Sequence, residues 1–212
     1  VSLANRYDVI GTYNEHPINI PGVTTVKADL TRDSARLISD YKPDVVIHMA
    51  AIGNVDQCEE QLELCYRVNV VASRELLTAA YRVGSAIYYL STDYVFDGER
   101  GMYTEDDAPR PVNYYGLTKL LAEEITRALG GSIVRVAWIY GAGPGRVNFG
   151  KTVVDKLMRG EAVTAITDQW SSPTLNTIIG EAFAKLLEMR FAGTLHVVGP
   201  RLSRYEFARA IA

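Results

Sequence analysis

The chain has 212 residues, 48% of them hydrophobic and 22% charged, with a formal net charge of −3. These values exclude disordered and fibrous classes and leave room for one sizeable core. The acidic balance offers no field for a phosphate backbone, so nucleic acid is excluded as a partner and any phosphate-bearing ligand should be small. No run approaches the roughly eighteen apolar residues of a membrane span, and no signal peptide opens the chain, so a cytoplasmic protein off the membrane is expected. Cys58 and Cys65 stand in a stretch that reads as helix, which suits neither a disulfide framework nor a metal knuckle and fits a reducing compartment.

In chain order, residues 8–13 and 24–28 are short β-rich runs bounded by turn formers. Ala35, Leu37, Ile38 and Tyr41 carry helical spacing over 33–41, and Lys42-Pro43 ends that helix before the apolar strand 44–50. A long helical stretch over 61–83 stops at Gly84, and a strand over 86–91 follows. Helices over 114–129, 150–159 and 176–189 alternate with strands over 132–139, 162–167 and 194–198. Such alternation predicts an α/β fold with a doubly wound parallel sheet, covered by helices on both faces. Residues 1–142 read as a dinucleotide-binding domain. Residues 143–212 read as a mixed region that carries a smaller substrate-binding lobe and the late strands of the sheet.

A doubly wound dinucleotide fold starts with a strand, a glycine-rich turn and a helix whose N-terminus holds the pyrophosphate. The opening Val1-Ser-Leu-Ala reads as the tail of that helix, so the fingerprint is expected to lie in roughly 20 further residues ahead of Val1. Residues 1–212 alone are expected to fold poorly or to bind a dinucleotide weakly.

Tyr115 and Lys119 stand four apart on a helix and share one face. A cationic Lys beside a phenol favours the phenolate and brings the Tyr proton within reach of neutral pH. The Tyr-x-x-x-Lys spacing alone is common by chance. It gains weight from the strand end upstream, Ser91-Thr-Asp-Tyr-Val-Phe-Asp-Gly98, because ligands in doubly wound folds bind at the carboxyl ends of strands. His48 lies inside an apolar strand and reads as a structural histidine, while His16 and His196 have no ligand-like partners. No spacing suits zinc. Glu59-Glu60 and Asp106-Asp107 read as solvated charge. The run Gly141-Ala-Gly-Pro-Gly145 lacks the Lys-Ser/Thr ending of a phosphate loop and reads as a connection.

The 91–98 segment with Tyr115-x-x-x-Lys119 behind it resembles the dTDP-4-dehydrorhamnose reductase family of extended short-chain dehydrogenases. Further matching motifs are Pro43-Asp-Val-Val-Ile-His-Met-Ala-Ala51, Val55-Asp56, Val68-Asn69, Arg135-x-x-Trp138-x-Tyr-Gly141, Asn148-Phe149, Asp168-Gln169 and Ser172-Pro-Thr174. The resemblance implies that Thr92 hydrogen-bonds the substrate carbonyl, Tyr115 donates the proton, and Lys119 holds the nicotinamide ribose while tuning Tyr115. It implies that Asp29 and Leu30 flank the adenine, that Ala50 and Ala51 line the cofactor backbone, and that Asn69 supports the site from behind. Val55, Asp93, Tyr94 and Trp138 would shape the sugar pocket, and no residue is assigned to a metal. The cofactor implied is NADP(H), with NAD(H) as the alternative. The run Gly11-Thr-Tyr-Asn14 has no acid placed for a ribose 2′-hydroxyl, which favours the phosphorylated form. The implied partner is a dTDP-4-keto-6-deoxy sugar, and a homodimer is compatible. The same segment also resembles the beta subunit of methionine adenosyltransferase, an NADP-binding regulator rather than a catalyst, and a reductase of another 4-keto nucleotide sugar is a further alternative.

Overall fold

The computed structural model describes residues 2–141 and 147–212, so the 141–145 glycine run lies largely outside the described residues. The chain runs β1 (Val9–Tyr13), β2 (Val23–Lys27), α1 (Leu30–Tyr41), β3 (Val45–His48), α2 (Val55–Glu60), α3 (Leu62–Tyr66), a π-helical turn (Arg67–Ala72) and α4 (Ser73–Arg82). Then come β4 (Ala86–Thr92), a 3₁₀ turn (Asp93–Val95), α5 (Tyr114–Ala128), β5 (Ser132–Val136), β6 (Ile139–Tyr140) and α6 (Phe149–Met158). The last elements are β7 (Trp170–Ser171), β8 (Thr174–Leu175), α7 (Asn176–Glu188), β9 (Thr194–His196), β10 (Leu202–Ser203) and α8 (Arg204–Ile211).

Strands β3, β4, β5 and β9 form one sheet in that order, all parallel, and β1 pairs with β2 in a separate parallel sheet. Neighbouring residues of β4 serve opposite faces, as a two-residue period requires. Ile87 packs with Ile38, Leu76, Leu77 and Ala80 of α1 and α4 on one side, and Tyr88 packs with Ile179, Phe183 and Leu186 of α7 on the other. Helices thus cover both faces, and the fold is the doubly wound Rossmann type. A groove of about 460 Å³ lies between β1 and β3, lined by Ile10, Leu30, Val46, Ile47 and Ala50 among others. Beside the main sheet sits a smaller lobe in which β6 pairs with β8 and β7 with β10, while α6 and α8 meet through Phe149 and Phe207. No helix among the described residues is long and apolar enough to cross a membrane.

Four expectations need correction. The helix expected over 61–83 begins at Val55 and breaks at Gln61, whose φ of −125° and ψ of 58° leave the helical region. The break folds α3 back on α2, bringing the Cα atoms of Cys58 and Cys65 to 5.3 Å, and the two residues form a disulfide. In one straight helix a seven-residue separation would hold them roughly 10 Å apart, beyond bridging range. The case for a reducing compartment from unpaired cysteines therefore falls. The strand expected over 132–139 stops at Val136, because Trp138 takes a left-handed φ of 35° before β6 starts. Residues 162–167 pair with no strand. Their segment is instead tied to α8, where Ile166 O accepts from Tyr205 N at 3.0 Å.

A candidate active-site cleft

The carboxyl ends of β3 and β4, helix α5 and the smaller lobe enclose a cleft of about 590 Å³. It brings together Ala51, Val55, Thr92, Asp93, Tyr94, Tyr115, Lys119 and Trp138. Thr92 is the last residue of β4. Its Oγ1 accepts from Tyr94 N at 3.3 Å and donates to Asp93 Oδ1 at 3.2 Å, so the chain turns there with its hydroxyl fixed. Asp93 also accepts from Ser171 Oγ at 3.0 Å, and burial raises its carboxyl above the usual range despite these bonds.

Helix α5 starts where Asn113 caps it by accepting from Gly116 N at 2.8 Å. Gly116 is the closest approach in the site. A Cβ there would lie 2.1 Å from Tyr94 O, so only glycine lets α5 press on the 3₁₀ turn. That contact sets the Tyr115 ring edge-on to Tyr94, with centroids 5.8 Å apart. Lys119, one turn on, is 3% exposed. Its Nζ donates to Leu90 O at 2.7 Å and sits 4.1 Å from the Tyr89 ring centroid. Burial pushes the ammonium down to about 7, and Glu123 opposes that shift. A group poised near neutrality inside a cleft is a frequent mark of a functional lysine.

The remaining implied residues stand around this centre. Asn69 is fully buried on the π-helical turn. Its Oδ1 accepts from Ile52 N at 2.8 Å and its Nδ2 donates to Ile52 O at 3.1 Å, which locks the loop after β3. The same Nδ2 reaches Thr118 Oγ1 on α5 at 3.0 Å and Cys65 Sγ at 3.3 Å. The shape of the loop carrying Ala50 and Ala51 is therefore set from behind. Ala50 is exposed and lies with Leu30 on the β1–β3 groove, which meets the main cleft at Met49. Small, open side chains on a fixed loop beside this groove fit a dinucleotide running along the strand ends. Asp29 lines neither space. Its carboxylate caps α1, accepting from Thr31 N and Oγ1 at 2.9 and 2.7 Å, and these bonds hold it below the usual carboxylate range.

His48 is structural, as expected: its Nε2 pairs with Ser73 Oγ at 2.7 Å, and burial pushes the ring down to about 3, so it stays neutral. His196 is not isolated, since its Nε2 lies 3.4 Å from Arg135 Nη1 and its backbone N donates to Glu105. Sequence reasoning missed the buried pair that explains Arg135. The Nε and Nη2 of Arg135 donate to the two oxygens of Glu123 at 2.9 and 2.7 Å, tying α5 to β5. It also missed Lys151, Asn176 and Arg204 on the lobe side of the cleft. Of these, Lys151 stands two residues beyond Asn148-Phe149 and Asn176 two beyond Ser172-Pro-Thr174, while Arg204 has no such motif beside it.

The fold and cleft together define a chain of the extended short-chain dehydrogenase/reductase class. The RmlD substrate binding domain family matches residues 7–212, and the chain belongs to that family. It is 36% identical over 175 residues to spore coat polysaccharide biosynthesis protein SpsK of Bacillus subtilis, covering 81% of this chain and 61% of that protein. It is 34% identical over 186 residues to methionine adenosyltransferase 2 subunit beta of Rattus norvegicus, covering 83% and 56%. Among solved structures, a hypothetical dTDP-4-dehydrorhamnose reductase from Sulfolobus tokodaii superposes with a TM-score of 0.89 at 38% identity, covering 99% of this chain and 74% of that one. A dTDP-4-dehydrorhamnose reductase from Bacillus anthracis in complex with NADP superposes at 0.83 with 32% identity, covering 89% and 70%. The chain thus spans between half and two thirds of those two curated relatives.

Proposed function

We propose that this chain forms most of an NADPH-dependent reductase acting on the 4-keto group of dTDP-4-dehydro-6-deoxy-L-mannose to give dTDP-L-rhamnose. The observation that carries the reading is the convergence of Thr92, Tyr115, Lys119 and Trp138 on one cleft at the carboxyl ends of parallel strands. The kinship with proteins named as dTDP-4-dehydrorhamnose reductases, one of them in complex with NADP, supports it. In this reading residues 1–142 serve the dinucleotide and 143–212 add the lobe that receives the sugar, in a cytoplasmic enzyme.

The nicotinamide, when bound, supplies the hydride that goes to C4 of the sugar. The chain's residues do the rest. Ala50, Ala51 and Leu30 offer the shelf for the dinucleotide, and Lys119 donates to its ribose. Thr92 Oγ1 turns its one proton from Asp93 Oδ1 to the ketone oxygen and fixes the carbonyl's orientation. As C4 gains the hydride, the π pair moves onto O4, and Tyr115 Oη gives its proton to that oxygen, leaving a phenolate stabilised by the nearby Lys119 cation. Val55, Tyr94 and Trp138 exclude water around the ring. Steady-state assay of the complete protein with NADPH and a panel of 4-keto-deoxysugar nucleotides tests this. Turnover is expected with the dTDP sugar, and absence of turnover with every member contradicts it.

A second reading has its own support. The rat relative named as methionine adenosyltransferase 2 subunit beta is about as similar in sequence as the solved reductases. Under that reading the cleft holds NADP without turning over a sugar, and the chain serves as a subunit of a methionine adenosyltransferase.

A further inference from the structure

Cys58 and Cys65 serve none of the proton and hydride steps, yet their disulfide sits directly behind the residues that do. It joins the six-residue α2 to the five-residue α3 across the break at Gln61, and both cysteines are fully buried. Helices this short do not hold their shape alone in water. The crosslink and the packing around it keep the pair folded back on itself.

The two sulfurs face two separate parts of the site. Cys58 Sγ lies 3.7 Å from Ile52 O, on the loop that carries Ala50 and Ala51. Cys65 Sγ accepts from Asn69 Nδ2 at 3.3 Å and lies 3.8 Å from Thr118 Oγ1. Thr118 stands on α5 between Tyr115 and Lys119, and its hydroxyl donates to Tyr115 O at 2.8 Å. A further tie leaves the same segment, because Glu59 Oε1 accepts from Tyr114 N at 2.6 Å in the first turn of α5. Bonded sulfurs carry no proton, whereas two thiols bring two new donors, one against Ile52 O and one against Thr118 Oγ1. Two separate sulfurs also need more room than two bonded ones, in a place packed on all sides. Reduction therefore disturbs the loop after β3 and helix α5 together.

We propose that Cys58 and Cys65 form a redox site whose oxidised state holds the dinucleotide loop in register with α5, so that the disulfide and the bound dinucleotide stabilise each other. The inference rests on the loop of Ala50 and Ala51 taking the dinucleotide, a placement that the reductase and regulatory readings share. The reductant is a dithiol. Its thiolate attacks one sulfur and forms a mixed disulfide, and the other cysteine leaves as a thiolate and takes a proton. The second thiol of the reductant then displaces the remaining cysteine, so two electrons and two protons reach the pair and the dithiol becomes a cyclic disulfide. Because neither sulfur is exposed, attack requires the segment 55–66 to open locally. A dinucleotide seated on the neighbouring loop opposes that opening. Linkage makes the effect reciprocal: the factor separating the dinucleotide affinities of the oxidised and reduced protein is also the factor by which the dinucleotide shifts the reduction equilibrium.

The test equilibrates the complete protein in buffers of reduced and oxidised dithiothreitol, with and without saturating NADP, and counts the Cys58 and Cys65 thiols by maleimide labelling and peptide mass spectrometry. NADP should move the midpoint about 5- to 100-fold toward a higher ratio of reduced to oxidised dithiothreitol, and direct titration should show NADP binding the reduced protein more weakly by the same factor. The double variant Cys58→Ala with Cys65→Ala should bind NADP as weakly as reduced wild type and be indifferent to dithiothreitol. An unmoved midpoint with equal NADP affinity in the two states overturns the coupling and leaves the dinucleotide loop in place. A double variant that binds NADP as tightly as the oxidised protein overturns it as well. Cysteines that stay reduced in every buffer overturn it at the first step. Failure of wild type to bind NADP in either state overturns the redox site and the placement of the dinucleotide together.

Discussion

The two walls of the cleft are built differently. The wall of β4 and α5 is clamped by packing and buried polar pairs: Gly116 against Tyr94 O, Lys119 to Leu90 O, Asn69 to Ile52 and Thr118, and Glu123 to Arg135. The lobe wall rests on strand pairs of two residues each and on arginines stacked on aromatic rings, and it exposes apolar side chains such as Val147 at 63% and Met158 at 82%. Buried polar atoms without partners lie on both sides, Tyr89 Oη and Ser91 Oγ on the first and Arg204 Nε and Gln169 Oε1 on the second. Under the proposed reductase reading, Thr92, Tyr115 and Lys119 sit on the clamped wall and Trp138 on the lobe side. This division is how a site can keep its chemistry and change its substrate.

The comparison breaks most sharply at Tyr115. Tyr115→Phe keeps the ring on Tyr94 and removes the acid, so turnover should fall about 10²- to 10⁴-fold with NADPH affinity little changed, as single-turnover kinetics and cofactor titration would show. Wild-type turnover would take the acid role from Tyr115. Next in size is the buried pair. Glu123→Gln leaves Arg135 charged at 2% exposure and should cost about 3–5 kcal/mol of stability in denaturant unfolding. A smaller cost is expected from Gly116→Ala, where the new methyl forces α5 off Tyr94 O for about 1–3 kcal/mol and also lowers turnover. A comparable substitution on the lobe wall, Gly160→Ala, meets no atom within 4 Å but must hold a φ of 70°, so it should cost stability without moving the cleft.

The last effect is a pH dependence. The Lys119 ammonium is pushed down to about 7 in the folded protein and returns to about 10.5 when unfolded. Between those values the unfolded chain holds a proton that the folded chain has shed, so stability gains up to about 1.4 kcal/mol per pH unit as pH rises. Lys119→Met should flatten that slope in urea titrations at pH 7 and 9. An unchanged slope would place the ammonium in solvent.

Most strands and helices were legible because period-2 and period-3.6 apolar patterns survive in this sequence, as in 86–91 and 114–129. The clustering of Thr92, Tyr115 and Lys119 followed from a strand end and a helix face. What stayed hidden depended on single dihedrals and distant partners. The break at Gln61 that joins Cys58 to Cys65, and the positive φ of Trp138 that ends β5 early, carry no glycine or proline signal. Glu123 finds Arg135 twelve residues on, across a helix-to-strand connection, and Arg204 reaches Trp138 from the far end of the chain. Local pattern cannot announce either contact.

The central claim is that this cleft passes a hydride to C4 of a nucleotide-linked keto sugar and a proton from Tyr115 to O4. The most direct test is to supply the complete protein with NADPH deuterated at the transferring position together with the dTDP-4-keto sugar, then read the product by NMR. Deuterium at sugar C4, in one configuration and lost in Tyr115→Phe, is the predicted result. No deuterium in any sugar, from a protein that binds NADP normally, would contradict it and leave the regulatory reading standing.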